Sequence, residues 1–156
     1  MKLIRASRNQ FVFQLVVGER HVLLELLKRY PCIPSAHHRL SRSAKLPEPE
    51  ANQRLLDEAL AEQRAENKQK VLAFLAEPQR FAPKDDGYHL KLSPAEVEWL
   101  LEVLNDIRVG SWILLGSPEE EVEELDDTTA PHAWAMDMAG YFESWLIEAV
   151  QGGRDA

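Results

Sequence analysis

The chain has 156 residues, a net charge of -8 and a hydrophobic content of 45%. A chain of this length buries roughly 70% of the surface that it exposes when unfolded. Residues 1–156 are therefore expected to form one helical domain that needs no disulfide or metal to be stable. The negative charge argues against nucleic-acid binding, which needs a cationic surface. Cys32 is the only cysteine. It excludes an internal disulfide and favours a cytoplasmic location.

Two short strands are predicted at the start of the chain. Lys2–Ala6 and Phe11–Val17 flank a polar link, and the odd-numbered residues of the second strand alternate onto one apolar face. Residues 1–17 are therefore predicted to form a β-hairpin. It must pack against other elements, because an isolated hairpin is barely stable in water. The apolar run is too short to cross a membrane, so no membrane partner is predicted.

Two helices separated by a long loop are predicted next. Glu19–Tyr30 has an apolar stripe and is stopped by a proline, and residues 31–49 are rich in proline and serine. Glu50–Glu77 is apolar at both ends, but its middle, Ala61–Lys70, has no large apolar residue. This middle either stands in solvent or breaks the helix. A continuous helix is favoured, because the residues there are good helix formers.

Phe81–Leu92 is predicted to be a connector that leads into the central element. Asp85, Asp86 and Gly87 signal a turn, and Tyr88–Leu92 alternates as a short strand does. That strand can add to the N-terminal hairpin.

The stretch Leu92–Gly116 is predicted to be the helix on which the other elements pack. Ser93 is a good N-cap and Glu96 completes a capping box. Gly116 allows a left-handed C-terminal cap. Gly110 removes side-chain bulk within the helix, so another backbone can approach there.

An acidic segment and a last helix complete the chain. Glu119–Asp127 has seven acidic residues in nine, and its apolar spacing predicts one or two helical turns. This run is either a solvated face or a docking surface for a basic partner. The last helix is expected to run from Thr128 to about Val150 and to leave a frayed tail at 152–156. Its main stripe is Trp134, Met138, Tyr141 and Trp145.

The pattern LxxVLNDIRVxxxxxLG, preceded by an apolar helix ending ELL and a charged helix, resembles an uncharacterised bacterial family with a domain-of-unknown-function label. Genes of that family often lie beside the gene for ClpS, the Clp protease adaptor. The resemblance implies a role linked to regulation or proteolysis and assigns no catalytic residue. The residues that carry it are Leu101, Leu104, Asn105, Asp106, Ile107, Arg108, Leu115, Gly116, Tyr141, Trp145 and Leu146.

Asn105, Asp106 and Arg108 are polar residues in the middle of the apolar central helix. Asp106 and Arg108 are two residues apart and do not face each other, so each needs a partner elsewhere. The favoured interpretation is an ion pair between helices, in which Arg108 meets Glu143, Glu148 or Glu25. The other interpretation is a binding site for a ligand or a partner.

No catalytic constellation, metal site or cofactor site is predicted. His37, His38 and Cys32 lack the number and spacing of ligands that a zinc site needs, and nothing beside Cys32 lowers its pKa. The small basic cluster Arg39, Arg42 and Lys45 is interpreted as a solvated loop or as a complement to the acidic run in the same or a second subunit.

The fold class predicted is mainly α, an irregular four-helix bundle with a small N-terminal β-hairpin. Trp99 lies off the main stripe of its helix and is the candidate for a homodimer interface, where tryptophan is enriched. The predicted core consists of Val22, Leu23, Leu26, Leu56, Leu60, Leu100, Leu101, Leu104, Ile107, Trp112, Trp134, Met138, Tyr141 and Trp145.

For function, the sequence favours a non-enzymatic interaction or regulatory protein that acts through helix surfaces as a homodimer, with a Clp-linked partner as one candidate. The alternative is a small-molecule-binding protein or an unrecognised enzyme with a polar site around Asn105, Asp106 and Arg108. That alternative predicts a concave site with perturbed titratable groups.

Overall fold

The structure, a computed structural model, describes residues 1–34 and 49–154, which form four α-helices and a four-stranded antiparallel sheet. The prediction of a mainly α bundle with only a hairpin is therefore wrong, and the fold is α+β. A short 3₁₀-helix, Pro78–Arg80, precedes the third strand. The elements are β1 (Lys2–Ala6), β2 (Phe11–Val16), α1 (Val17–Leu27), α2 (Pro49–Leu75), β3 (Phe81–Lys84), β4 (Gly87–Leu92), α3 (Pro94–Leu114) and α4 (Ala130–Arg154).

The sheet has the strand order β1-β2-β4-β3 and packs one face on the helices. The predicted hairpin pairs β1 with β2, and the predicted alternating segment becomes β4, which pairs antiparallel with β2. Phe13 lies opposite Leu90, and Phe11 lies opposite Leu92. All four side chains are buried, so their alternation places one continuous apolar layer under the helices.

The central helix α3 agrees closely with its prediction. The Ser93 hydroxyl accepts a hydrogen bond from the Glu96 amide at 3.1 Å, and the Glu96 carboxylate accepts one from the Ser93 amide at 3.0 Å. Gly116 adopts a left-handed conformation with φ of 90° after the helix ends. Ile107 is fully buried, and the helix is continuous from one cap to the other.

The last helix, α4, packs most extensively on α3, but with a different face from the one predicted. The buried apolar positions are Ala135, Ala139, Phe142, Leu146 and Ala149. Small residues on this face let the two helices approach closely, so the large aromatic side chains lie at its flanks. Trp134 and Tyr141, together with Trp112 of α3, are exposed, and their assignment to the core was wrong. Met138 and Trp145 are partly buried.

The longest helix, α2, is continuous, as the sequence favoured. Val71 and Phe74 anchor its C-terminal end in the core, whereas Leu56 and Leu60 are only half-buried. The remaining residues of the predicted core are buried or half-buried.

Two expectations near the C-terminus were wrong. Glu119–Asp127 is neither helix nor strand, because only Val122 finds partial cover and seven carboxylates repel one another. The final helix does not end near Val150 but continues through the two glycines to Arg154. Most of the 31–49 loop, residues 35–48, lies outside the described residues.

Candidate functional site

The polar residues in the middle of α3 point in different directions. Consecutive residues of an α-helix are rotated by about 100°, so residues two apart differ by about 200°. Asp106 therefore meets the chain that leaves α1, whereas Arg108 meets α4. The site predicted around Asn105, Asp106 and Arg108 is consequently divided into two separate environments.

Asp106 binds the backbone of the α1 exit segment, Tyr30–Pro34. Its Oδ1 accepts hydrogen bonds from the amides of Cys32 at 2.6 Å and Ile33 at 3.4 Å. Gly110, one turn further along α3, lets this segment approach the helix. A Cβ atom at Gly110 would lie 2.5 Å from the Cys32 carbonyl carbon and 2.7 Å from the Ile33 nitrogen. The close backbone approach expected from the sequence is thus confirmed.

Side chains from α2 hold the carbonyl groups of the same segment. Lys68 Nζ donates a hydrogen bond to the Tyr30 carbonyl at 2.9 Å, and Arg64 Nη2 donates one to the Ile33 carbonyl. Cationic donors suit carbonyl groups that follow a helix C-terminus, because the helix dipole is negative there. The α1 exit segment is therefore fixed by α3 through its amides and by α2 through its carbonyls.

A cavity of about 240 Å³ lies between the α1 exit segment, α2 and α3. Glu102 forms part of its wall and accepts hydrogen bonds from Gln63 at 2.8 Å and Asn67 at 3.4 Å. Burial raises the pKa of Tyr30, and a hydrogen bond with Asn67 opposes that rise. Asn105 and Asp106 also line the cavity, but Arg108 does not. The wall is suited to hydrogen bonding with a small polar molecule.

Cys32, beside this cavity, is a poor nucleophile. Burial, followed by the negative charge of Asp106, raises the pKa of its thiol to about 11. The thiol is therefore protonated at neutral pH, and it donates to the Arg29 carbonyl.

Arg108 forms the predicted ion pair, and Glu143 is its partner. The Arg108 Nε lies 3.3 Å from Glu143 Oε1. Glu143 is the buried member, since its side chain is 11% exposed, whereas the Arg108 side chain is 49% exposed. Burial raises the pKa of Glu143, and the guanidinium opposes that rise. The pair joins α3 to α4.

Trp99, the candidate for a subunit interface, packs against the end of α2. It is only 9% exposed, and its ring centroid is 5.8 Å from that of Phe74 on α2. Phe74 also packs edge-on against Phe81 at 5.8 Å. Trp99 is off the main stripe of α3 because it packs against the end of α2, which leaves little of its side chain exposed.

The contribution of α2 to the polar cluster was missed in the sequence. Arg64 and Lys68 are four residues apart and so share one helix face. Their spacing within a segment that has no large apolar residue was the available signal. It was not interpretable alone, because it did not reveal which carbonyl groups would lie opposite.

Among residues 1–34 and 49–154, no three histidine, cysteine or acidic side chains are grouped to hold a metal ion. His37 and His38, and the basic residues Arg39, Arg42 and Lys45, lie outside the described residues.

No protein-family model, curated protein or solved structure matches the chain. In the part of the chain that the structure describes, none of the helices combines the length and the apolarity that crossing a membrane requires.

Proposed function

We propose that this protein is a non-enzymatic interaction or regulatory protein that acts through the outward surface of α2. The observation that carries the proposal is a set of ten exposed residues along this helix and the turn that follows it, which we call the α2 outer face. Six of them are Leu or Ala. They are Leu55, Glu58, Ala59, Glu62, Ala65, Glu66, Gln69, Leu72, Ala73 and Ala76.

The opposite side of α2 fixes the direction of this surface. Arg64 and Lys68 bind the α1 exit segment, and Val71 and Phe74 are buried in the core. The outer face is therefore held towards solvent, with Leu55 63% exposed and Leu72 48% exposed. Leucines at both ends of one fixed helix face support a role in contacts with another protein.

The contacts of the polar residues support the same proposal. Asp106 is used to bind two backbone amides, and Arg108 is used to neutralise a buried carboxylate. These contacts give both residues a role in holding the fold together. The resemblance to the family encoded beside ClpS makes Clp components the first heterologous partners to examine.

A photo-crosslinking amino acid at position 59 of the full-length protein tests the proposal. The matched control carries it at the exposed position Glu121, which is not part of α2. The crosslinker at position 59 is expected to form adducts with a second copy of this chain, with purified ClpS or with another defined protein. The crosslinker at position 121 is expected to form none, and mass spectrometry measures both. Equal labelling at both positions, or none at either, would contradict a role for the α2 outer face.

The cavity beside Asn105 supports a second candidate function, the binding of a small polar molecule. Its volume of about 240 Å³ suits a ligand of a few non-hydrogen atoms rather than a large cofactor. A thermal-shift screen with small polar metabolites tests this candidate. A genuine ligand should raise the melting temperature, and Asn105→Ala should reduce that rise. An equal rise in the Asn105→Ala variant would place binding elsewhere.

A further inference from the structure

The face of the sheet that points away from the helices is cationic. Residues paired across neighbouring strands share one face, and Phe13 and Leu90 form a buried pair, so the alternate pairs lie on the opposite side. Four of the ten residues on that side are Lys or Arg and none is Asp or Glu, although the chain has 26 acidic residues and 18 Lys and Arg. We call this side the outer sheet face; its residues are Lys2, Arg5, Val12, Gln14, Val16, Ala82, Lys84, Gly87, His89 and Lys91.

The positive charges on this face are not neutralised by the fold. Lys2, Arg5 and Lys91 are exposed, and within residues 1–34 and 49–154 they form no hydrogen bond or ion pair. Lys84 differs from them, because two aspartates follow it in the β3–β4 turn. The unbalanced charge of the outer sheet face therefore belongs to Lys2, Arg5 and Lys91.

The strand register places these cations in two adjacent rows. Arg5, Val12 and Lys91 are aligned across three strands, and Lys2 and Gln14 form the next row. Val12 is only 3% exposed, as expected where the alkyl stems of long side chains lie over a small apolar residue. Neighbouring rows are about 6.8 Å apart, because they are two residues apart along a strand.

The outer sheet face is better suited to a short acidic peptide than to a nucleic acid. None of its ten residues is aromatic, so it offers no ring on which bases would stack. A long polyanion would also meet the net charge of -8 that the whole chain carries. Six strand residues extend over about 20 Å, which matches the length of about six residues of an extended peptide.

The chain itself contains such a peptide, Glu119–Asp127, which we call the acidic segment. All of its residues except Val122 are exposed, and it is neither helix nor strand. Its five glutamates form no hydrogen bond or ion pair within the described residues. In an extended conformation Glu121 and Glu123 point to the same side about 6.8 Å apart, which equals the spacing of the rows on the outer sheet face.

The acidic segment does not reach these cations within one copy of the chain. Lys91 lies two residues before Ser93, the N-cap of α3, whereas the acidic segment follows the other end of that helix. Helix α3 has 21 residues and is therefore about 31 Å long. The start of α4 holds the far end of the acidic segment, so both ends are fixed away from Arg5 and Lys91.

We infer that the acidic segment of one copy binds the outer sheet face of a second copy of this chain. The contact uses neither the α2 outer face nor the cavity beside Asn105, so it is independent of the proposed function. Exposed ion pairs are individually weak and are screened by salt. A dissociation constant of about 0.1–1 mM is therefore expected at low ionic strength, with at least about tenfold weaker binding in about 0.5 M salt.

Charge reversal in the full chain, followed by sedimentation analysis at low ionic strength, tests the contact. The sheet variant carries Arg5→Glu and Lys91→Glu, and the segment variant carries Glu121→Lys and Glu123→Lys. Each variant alone should lose at least about tenfold in self-association, because like charges then face each other. An equimolar mixture of the two variants should associate again, because each reversed surface meets a surface of opposite charge on the other variant.

A control variant separates this contact from a general effect of net charge. Glu58→Lys with Glu62→Lys changes the net charge as much as the segment variant does, but on the α2 outer face. It should leave self-association within about twofold of the unmodified chain. An equal loss in the control variant and the segment variant, or a mixture of the two reversed variants that does not associate, overturns the inference.

A chain that stays monomeric at low ionic strength also overturns the inference. Nuclear magnetic resonance spectra with a single-stranded oligonucleotide then show whether the outer sheet face binds a polyanion of another class. Capture of a partner by a crosslinker at position 59 does not depend on any of these results, so the proposed function and this inference fail separately.

Discussion

Replacing Arg108 with methionine tests the electrostatic balance between α3 and α4. Methionine keeps an apolar chain over Gly140, where the Arg108 side chain lies, but removes the positive charge from Glu143. Exposed ion pairs contribute about 0–1 kcal/mol, and removing one partner of a fully buried pair costs about 3–5 kcal/mol. The Arg108 side chain is 49% exposed and that of Glu143 is 11% exposed, so we expect a loss of about 1–2 kcal/mol at neutral pH.

The raised pKa of Glu143 determines the direction in which stability changes with pH. The pKa of Glu143 is raised above its ordinary value of 4.5 in the folded protein. Between the unfolded and folded pKa values, the folded state therefore binds more protons, and stability falls as the pH rises through that window. Arg108→Met should raise the pKa of Glu143 further, steepen this fall and extend it to higher pH. Glu143→Gln should remove this contribution.

Urea unfolding followed by circular dichroism, at pH 7.5 and at mildly acidic pH, measures both effects in a double-mutant cycle. Glu143→Gln alone should leave stability within about 0.5 kcal/mol or raise it, because it removes a buried charge. Adding Arg108→Met to that variant should then cost little, which gives a coupling energy of about 1–2 kcal/mol. If Arg108→Met costs the same in the unmodified chain as in the Glu143→Gln variant, Arg108 does not neutralise the carboxylate and the ion pair does not stabilise the contact between the two helices.

Three further substitutions have matched controls or defined partners. Gly110→Ala should cost about 1–3 kcal/mol in urea unfolding, because the added methyl group would overlap the α1 exit segment. Gly140→Ala is the control: its methyl group would meet only ordinary contact distances, and it should stabilise the protein by up to about 1 kcal/mol. Equal effects of the two substitutions would refute the close approach at Gly110. Asp106→Ala should lower stability by about 2–3 kcal/mol, because two backbone amides lose a charged acceptor, whereas Asn105→Ala should change stability little. Comparable melting temperatures of the two variants would disprove the role of Asp106 in anchoring the α1 exit segment. Ser93→Ala should cost about 1 kcal/mol in thermal unfolding through loss of the N-cap, and an unchanged melting temperature would show that the cap is dispensable.

Elements with strong local signals were the ones that could be predicted from the sequence. Helix α3 carries Ser93 and Glu96 at its start and Gly116 at its end, so its limits were almost independent of tertiary context. The strand β2 alternates on one face, and β4 was expected because it follows a clear turn and alternates in the same way.

The number of strands was underestimated because β3, one of the two edge strands, has a weak local signal. Strand β3 has four residues, and Pro83 within it reads against a strand. Proline is tolerated there because β3 lies at the edge of the sheet, where one side of the backbone needs no partner. The hairpin with β4 and the contact of Phe81 with Phe74 hold it in place, and both depend on tertiary structure.

The face of α4 was assigned wrongly because large aromatic residues were taken to mark the core. Burial depends on the shape of the opposing helix as well as on apolarity. Close packing of α3 and α4 needs small residues between their backbones, and Ala135 and Ala139 supply them. Trp134 then lies at the flank, where its ring receives the guanidinium of Arg29 at 5.6 Å.

The same dependence on the opposing element explains the polar middle of α2. The segment 61–70 carries no large apolar residue, yet one side of it contacts the rest of the fold through hydrogen bonds. Arg64 and Lys68 bind carbonyl groups of the α1 exit segment, and Asn67 binds Glu102. Hydrogen bonds to fixed carbonyls orient a helix about its axis more strictly than apolar contacts do, since they depend on direction as well as distance. The rotation of α2 is therefore set by polar contacts on its inner side. That rotation is what places Leu55, Ala65 and Leu72 together on the outer side of the helix, where all three are exposed.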